Sequence, residues 1–405
     1  MKKLIKCGKL FNSKAGTVSE NMAILVEDNK IVKVDAVCNM DAADAQVIDL
    51  SDKFVMPGLI DCHQHCAFYG QGNNLPNVYE QNLAYNAFEA AKNVKLDLMA
   101  GFTTLRDAGG PGFVDVSLKK YINAGVLDGP RMVCAGRGLT STGGHGDMHL
   151  GKHVPAEANP MSIICNSPEE MRAAARLNFK YGADAIKIMA TGGVMSYGDD
   201  PNASQFTYEE MKAAIDVAKE QGKTTFAHAH GANGIKTAIR AGITSIEHGM
   251  LIDQEGIDMM VEHGTWMVPT IIAAKNIVVY GAGTLPQWMI DKAAMVLENH
   301  KDNCMQLRDR GVKFAFGSDA ASGFNCHGQQ AREFANLVDF GFPAHEALQH
   351  ATCNAAQLLQ MGDQVGSIEE GYFADIVAFD ADPLEDITVM QNCTFVMKDG
   401  KVYKQ

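Results

Sequence analysis

The chain has 405 residues, of which 48 are acidic and 35 basic, giving a formal net charge of −13 with 46% hydrophobic and 20% charged side chains. That balance is ordinary for a globular chain and argues against nucleic acid or an anionic membrane as the principal partner. The length allows two compact domains, or one α/β barrel of roughly 250 residues with an appendage, and no apolar run approaches the roughly 18 residues of a membrane span.

The opening "MKKLIKCGKLFNSKAG" has basic residues but no apolar core to follow them, so it does not read as a signal peptide. Ten cysteines are scattered without a C-x-x-C pair, which suggests reduced thiols and a cytoplasmic protein. Residues 1–57 contain short alternating segments, "AILVEDNKIVKVDAV" and "AQVIDLSDKFV", broken by "EDNK" and "SD". Such segments predict antiparallel strands and hairpins. Eight apolar strands follow within 58–360 and its border: "FVMPGLIDCHQH", "FTTLRDAGG", "RMVCAGRG", "DAIKIMATGG", "TTFAHAHG", "TSIEHGM", "TWMVPTII" and "KFAFGSDA". Helix-like stretches such as "SPEEMRAAARLNFKYG" and "TYEEMKAAIDVAKEQG" separate them, each with a Ser or Thr cap, early acids and a closing Gly. Apolar strands alternating with helices predict a parallel sheet, and eight units predict a closed (β/α)8 TIM barrel. A doubly wound open sheet is the alternative. "HEALQHATCNAAQLLQM" reads as a closing helix, and 361–405 returns to the strand pattern in "ADIVAFDA" and "CTFVMKDGKVYKQ". The two ends are therefore expected to form the halves of one small β-sandwich domain.

Chemistry enters with "GLIDCHQH". Residues i and i+2 of a strand share a face, so His63 and His65 converge with Asp61 beside them. Cys62, Gln64 and Cys66 point the other way, which removes both cysteines as ligands. Active sites of such barrels form where the strands end. Those ends carry His63 and His65 on the first strand, His228 on the fifth, His248 on the sixth and Asp319 on the eighth, with Lys187 inside the fourth. Imidazoles mixed with a carboxylate suit a first-row divalent metal, zinc above all.

Lys187 lies in an apolar strand, where desolvation favours a neutral amine able to add CO2 and form a bridging carbamate. An interior ion pair with Asp184 or Asp319 is the plainer reading; beside four strand-end histidines the carbamate is preferred. Asp319 can take a proton from an attacking hydroxide and hand it to a leaving amine, or it can simply cap the following helix.

The pieces "PGLIDCHQH", "TTLRDAGG", "AIKIMATGG", "AHAHG", "SIEHG" and "FGSDA", in this order along nearly the whole chain, resemble the amidohydrolase superfamily, in its prolidase-like branch of metal-dependent dipeptidases and carboxypeptidases. The resemblance implies a binuclear site: His63 and His65 on one metal, carboxylated Lys187 as bridge, His228 and His248 on the other, and Asp319 at the eighth strand. It also implies that His145 of "GGHGD" contacts substrate. His230 faces inward two residues beyond His228, where many relatives carry tyrosine. Arg106 either orients substrate or sits in a buried pair. The i, i+4 spacing of His145, His149 and His153 is that of a helical zinc motif, but the glycines around them argue for a loop. His263, His300, His327, His345 and His350 read as surface or packing residues. "ATGGVMS" and "STGGHG" lack phosphate-loop spacing and fit loops that substrate approaches closely.

The expected activity is hydrolysis of the amide bond of a dipeptide or N-acyl amino acid by a metal-bridging hydroxide. The alternatives are a cyclic amidase of the imidazolonepropionase-like kind or a deaminase, both of which commonly lack the fourth-strand lysine, and a non-catalytic binding barrel. The partners expected are a small-molecule or dipeptide substrate and further copies of the chain in a homo-oligomer. The stretch "TWMVPTIIAAKNIVVYGAGTL" has Lys275 as its one charged residue, which predicts a pocket for neutral, apolar C-terminal residues, proline included. His145 and His230 are the candidates to hold the substrate carboxylate.

Overall fold

The computed structural model describes residues 2–40, 44–70, 82–147 and 159–405. His149 and His153 lie outside them. The fold is α/β. Its parallel strands are β5 (Leu59–Gln64), β6 (Phe102–Asp107), β7 (Arg131–Cys134), β8 (Gly138–Thr140), β9 (Ser162–Ile164), β10 (Ala185–Met189), β11 (Thr224–Gly231), β12 (Ser245–Leu251) and β13 (Trp266–Val268). They form a three-stranded sheet, β5-β6-β7, and a six-stranded sheet, β13-β12-β11-β10-β8-β9. Residues 313–320 connect one pair of edges, bridging Met267 to Phe314 and Gln64 to Ala320 in parallel. On the other side the Asp184 amide donates to the Cys134 carbonyl at 2.7 Å.

Strands β5, β6, β10 and β11 are buried along their whole length, as expected for parallel strands covered on both faces. The covering helices include α1 (Leu83–Met99), α2 (Val114–Asn123), α3 (Pro168–Tyr181), α4 (Tyr208–Glu220), α5 (Ala232–Ala241), α6 (Gln254–His263), α7 (Ile271–Tyr280), α8 (Gln287–Leu297), α9 (His300–Asp309) and α10 (Arg332–Phe340). Their boundaries follow the local chemistry. Ser167 accepts from the Glu170 amide at the start of α3, which stops at Gly182 with φ 106°. Thr207 and Glu210 form a reciprocal capping box on α4.

Two strands depart from the sequence reading. "RMVCAGRG" divides into β7 and β8 around Gly136, whose φ is 70°. "KFAFGSDA" pairs through bridges at Phe314 and Ala320 instead of a continuous ladder. The closing helix also changes pitch, with a π-helical turn at His350–Asn354.

The two ends of the chain share one seven-stranded sheet, β16-β15-β14-β4-β1-β2-β3. Its strands are β1 (Lys2–Asn12), β2 (Thr17–Glu27), β3 (Lys30–Ala36), β4 (Gln46–Pro57), β14 (Ile376–Phe379), β15 (Phe395–Lys398) and β16 (Lys401–Lys404). The pairing is not all antiparallel, because β1 runs parallel to β4. "SD" does not break β4; the register shifts between Cys7 and Lys9 and the strand continues. Lys30 bridges Phe373, so the sheet curls back on itself around Ile5, Ile24, Val26, Ile48, Ile376 and Phe395. Among the described residues no helix is long and apolar enough to cross a membrane.

Arg131, at the start of β7, ties the parallel strands to this sheet. Its guanidinium donates to Asp375 and Asp399, each at 2.5 Å, and the Asp375 side chain is buried. Removing one partner of a buried pair leaves an uncompensated charge. Arg131→Met is therefore expected to cost about 2–4 kcal/mol in urea unfolding, and an unchanged midpoint would reduce the pair to a surface latch.

Candidate active site

The strand ends converge on a cavity of about 450 Å³ lined by His63, His65, Lys187, His228, His248, Asp319, His145 and His230, among others. His63 is held from behind. Its Nδ1–H donates to Glu247 Oε2 at 2.7 Å, which leaves Nε2 facing the site. His65 donates from Nδ1 to the Gly109 carbonyl at 2.7 Å, again freeing Nε2. Asp319 Oδ1 lies 3.5 Å from His63 Nε2 and 3.4 Å from His65 Nε2. These three ligand atoms fall within 4.8 Å of one another.

His228 and His248 stand beside that triad. Their ring centroids are 4.7 Å apart, and His248 lies 4.9 Å from His63. His228 Nε2 donates to the Gly192 carbonyl at 3.2 Å, leaving Nδ1 without a proton. His248 Nδ1 meets Thr270 Oγ1 at 2.6 Å. Burial holds the imidazolium form of His63 down, to a pKa of about 4, and places His228 and His248 well below the ordinary value. The buried rings of His63, His228 and His248 are thus held neutral, and the Nε2 atoms of His63 and His65 flank Asp319, an arrangement that suits a cation.

Lys187 reaches the same group, with Nζ 3.4 Å from His63 Nε2. Burial depresses its pKa to about 8 against the pull of Glu247 and Asp319. The alternative of an ion pair with Asp184 does not form, because Asp184 binds Lys119 at 2.6 Å. Burial acts to raise the Asp319 carboxyl, but His65, His63 and Lys187 outweigh it and hold the group below the usual value. Positive φ angles mark His248 (70°), Thr270 (44°) and Asp319 (56°). Left-handed backbone at three non-glycine residues costs stability and gathers where function demands a particular aim.

Arg106 is not a substrate contact. It is fully buried beneath the strand ends, donating to Glu247 Oε1 at 2.8 Å and to the Cys62 carbonyl at 2.6 Å. Burial would raise the Glu247 carboxyl, yet Arg106 and His63 bring it down to about 2. Glu247 was the residue missing from the sequence reading. The signal was present, since a buried arginine needs a buried acid and "TSIEHGM" holds one in an apolar strand. His145 and His230 do line the cavity, but burial lowers their pKa values to about 4 and about 3. Neither is a cation near neutral pH. His300, His327 and His350 are buried, while His263 and His345 are exposed. His327 is more than packing: its Nδ1 bonds Asp97 at 3.0 Å and its Nε2 meets the His65 carbonyl at 3.2 Å.

A model of the amidohydrolase family matches residues 54–403. The chain belongs to that family, in its prolidase-like branch. This amidohydrolase is 35% identical to ochratoxinase of Aspergillus niger over 380 residues, 86% of this chain and 75% of the relative. A solved Xaa-Pro dipeptidase with methionine bound in its active site shares 38% identity at a TM-score of 0.92, with both chains covered in full. A prolidase solved with N-methylphosphonate-L-proline shares 32% at a TM-score of 0.93, again over both whole chains. The α/β fold thus matches amidohydrolase structures of the TIM-barrel type. The family generally uses divalent metals, and the His63–His65–Asp319 cluster has the donors and spacing to hold one.

Because Arg106 acts on His63 through Glu247, Arg106→Met is expected to weaken divalent metal affinity about 10–100-fold, the range for partners that orient a ligand histidine. Chelator competition measures it. A raised KM with undiminished metal affinity would return Arg106 to substrate binding.

Proposed function

We propose that this amidohydrolase cleaves the amide bond of dipeptides or N-acyl amino acids whose C-terminal residue is neutral and largely apolar. The observation that carries this reading is the meeting of a polar floor, built from neutral histidines, Lys187 and Asp319, with an apolar wall in one cavity. Val194, Met250, Ala274, Ile277 and Trp288 form that wall. Lys275 turns away to Asn336 and Asp339. Asp147 also lines the cavity, with one carboxylate oxygen engaged by the Gly143 amide. We read 58–360 as a closed (β/α)8 barrel and 1–57 with 361–405 as its β-sandwich companion.

His63, His65, His228, His248 and Asp319 would hold two divalent metals, zinc for preference, with carboxylated Lys187 between them. Such a pair polarises a carbonyl and makes water acidic enough to attack at neutral pH. The chain's own groups do the rest. Glu247 and Gly109 fix the rings of His63 and His65, and the apolar wall seats the side chain and excludes water. Asp319 takes the proton from the attacking water and delivers it to the nitrogen as the C–N bond breaks, releasing an acid and an amine.

Two variants separate these roles. Lys187→Ala is expected to lose metal and activity together, with partial rescue by bicarbonate or short-chain acids. Asp319→Asn is expected to keep at least one metal while kcat falls about 10²–10⁴-fold. Full metal content and normal turnover in Lys187→Ala would exclude the carbamate.

Substrate choice is tested with metal-loaded enzyme on Xaa-Leu and Xaa-Pro against Xaa-Arg. Faster cleavage of Xaa-Arg would overturn the apolar assignment and point to Asp147.

A further inference from the structure

The last residue of β6 is a buried carboxylate that reaches the backbone on both sides of His65. Asp107 is almost wholly enclosed. Its Oδ2 accepts from the Cys66 amide at 2.9 Å, and its Oδ1 accepts from the Gly109 amide at 2.9 Å. Cys66 follows His65 in the chain, and Gly109 supplies the carbonyl that receives His65 Nδ1–H at 2.7 Å. One carboxylate therefore holds the main chain next to His65 and the acceptor at its ring. Both bonds are charge-assisted and lie away from water, where such bonds are strongest.

That acceptor needs an outside brace. Gly109 has φ 107°, a region open to glycine, and it starts the run Gly109, Gly110, Pro111, Gly112. Neither Gly109 nor Gly110 has a side chain to fix the peptide between them. That peptide is tied at its own N–H, from Gly110 to the Gly136 carbonyl at 3.0 Å, and at the preceding N–H by Asp107. Consecutive strand residues point to opposite faces, so the two residues that end β6 divide the work. Arg106 reaches Glu247 behind His63, and Asp107 reaches the surroundings of His65.

Taking His63, His65 and Asp319 as the metal triad proposed above, we infer that Asp107 is a positioning residue for His65. By holding Cys66 and Gly109 at once, it sets the ring so that Nε2 faces Asp319.

A second buried acid supplies the comparison. Asp115, on α2, accepts from the Gly136 amide at 2.8 Å through Oδ2, and its Oδ1 has no hydrogen-bond partner among the described residues. An asparagine side chain has one acceptor oxygen. It is sufficient at position 115, but at position 107 it must give up one of two bonds and turn its NH2 toward a backbone N–H.

Chelator competition and the visible spectrum of cobalt(II)-loaded protein, which reports coordination geometry, test the inference. Asp107→Asn is expected to weaken cobalt(II) and zinc(II) affinity about 10–100-fold, the range for partners that orient a ligand histidine, and to alter the cobalt(II) bands. Asp107→Ser, whose hydroxyl still accepts from the Gly109 amide, is expected to do the same and decides the matter should Asp107→Asn not fold. Asp115→Asn is expected to keep wild-type affinity and spectrum. So is Arg131→Met, which controls for lost stability. Wild-type affinity with unchanged cobalt(II) bands in the folded Asp107 variant overturns the inference, as does an equal loss in Asp115→Asn or Arg131→Met. A wild type that takes up no divalent metal would remove the triad itself, and the inference with it.

Discussion

A charge pair sealed beneath His63 sets the terms for the rest of the site. Arg106 and Glu247 are both fully buried, and burying ions is costly unless each is bonded on every side. Here Arg106 is engaged by Glu247, Cys62 and the face of Phe226, 3.9 Å from its ring centroid. Glu247 uses its other oxygen on His63. Satisfying that pair requires β5, β6 and β12 to arrive in one register, although β12 belongs to a different sheet from the other two. The same register fixes which nitrogen of His63 faces the cavity.

The upper rim has its own supports. His248 leans on Thr270, and Thr270 begins α7, whose first amides at Ile271 and Ile272 donate to buried Glu333 at 2.6 and 2.7 Å. Asp61, beside the histidines in sequence, accepts from Ser318 at 2.6 Å and so braces the turn that carries Asp319. Strain at His248, Thr270 and Asp319 is therefore opposed by capping and buried hydrogen bonds nearby. Side chains braced by such hydrogen bonds are what amide hydrolysis by this family would use, because groups already in place need no reorganisation during reaction.

Much of this was legible in the residue order. Strand parity placed His63 and His65 on one face and turned Cys62 and Cys66 away, and both cysteines are buried. Helix starts followed from Ser167 and Thr207, where one side chain meets one amide. The rest depended on partners far apart in the chain. Glu247 meets Arg106 across 141 positions, and His327 meets Asp97 across 230. No local pattern announces such pairs. The parallel pairing of β1 with β4 was likewise hidden, since alternation reports a face of a strand but not its neighbour's direction.

The terminal sheet carries a consequence for biosynthesis. β4 lies between β1 and β14, and Phe54 and Met56 pair with Phe379 and Val377. On the ribosome β1 to β4 emerge early, while the strand that covers the free edge of β4 emerges only after every strand of the two parallel sheets. Long-range pairing of this kind is slow to form, and until it forms an apolar edge stays bare. A nascent or clipped chain lacking β14 therefore displays an unfinished edge, a feature chaperones and proteases can read as the mark of an incomplete molecule.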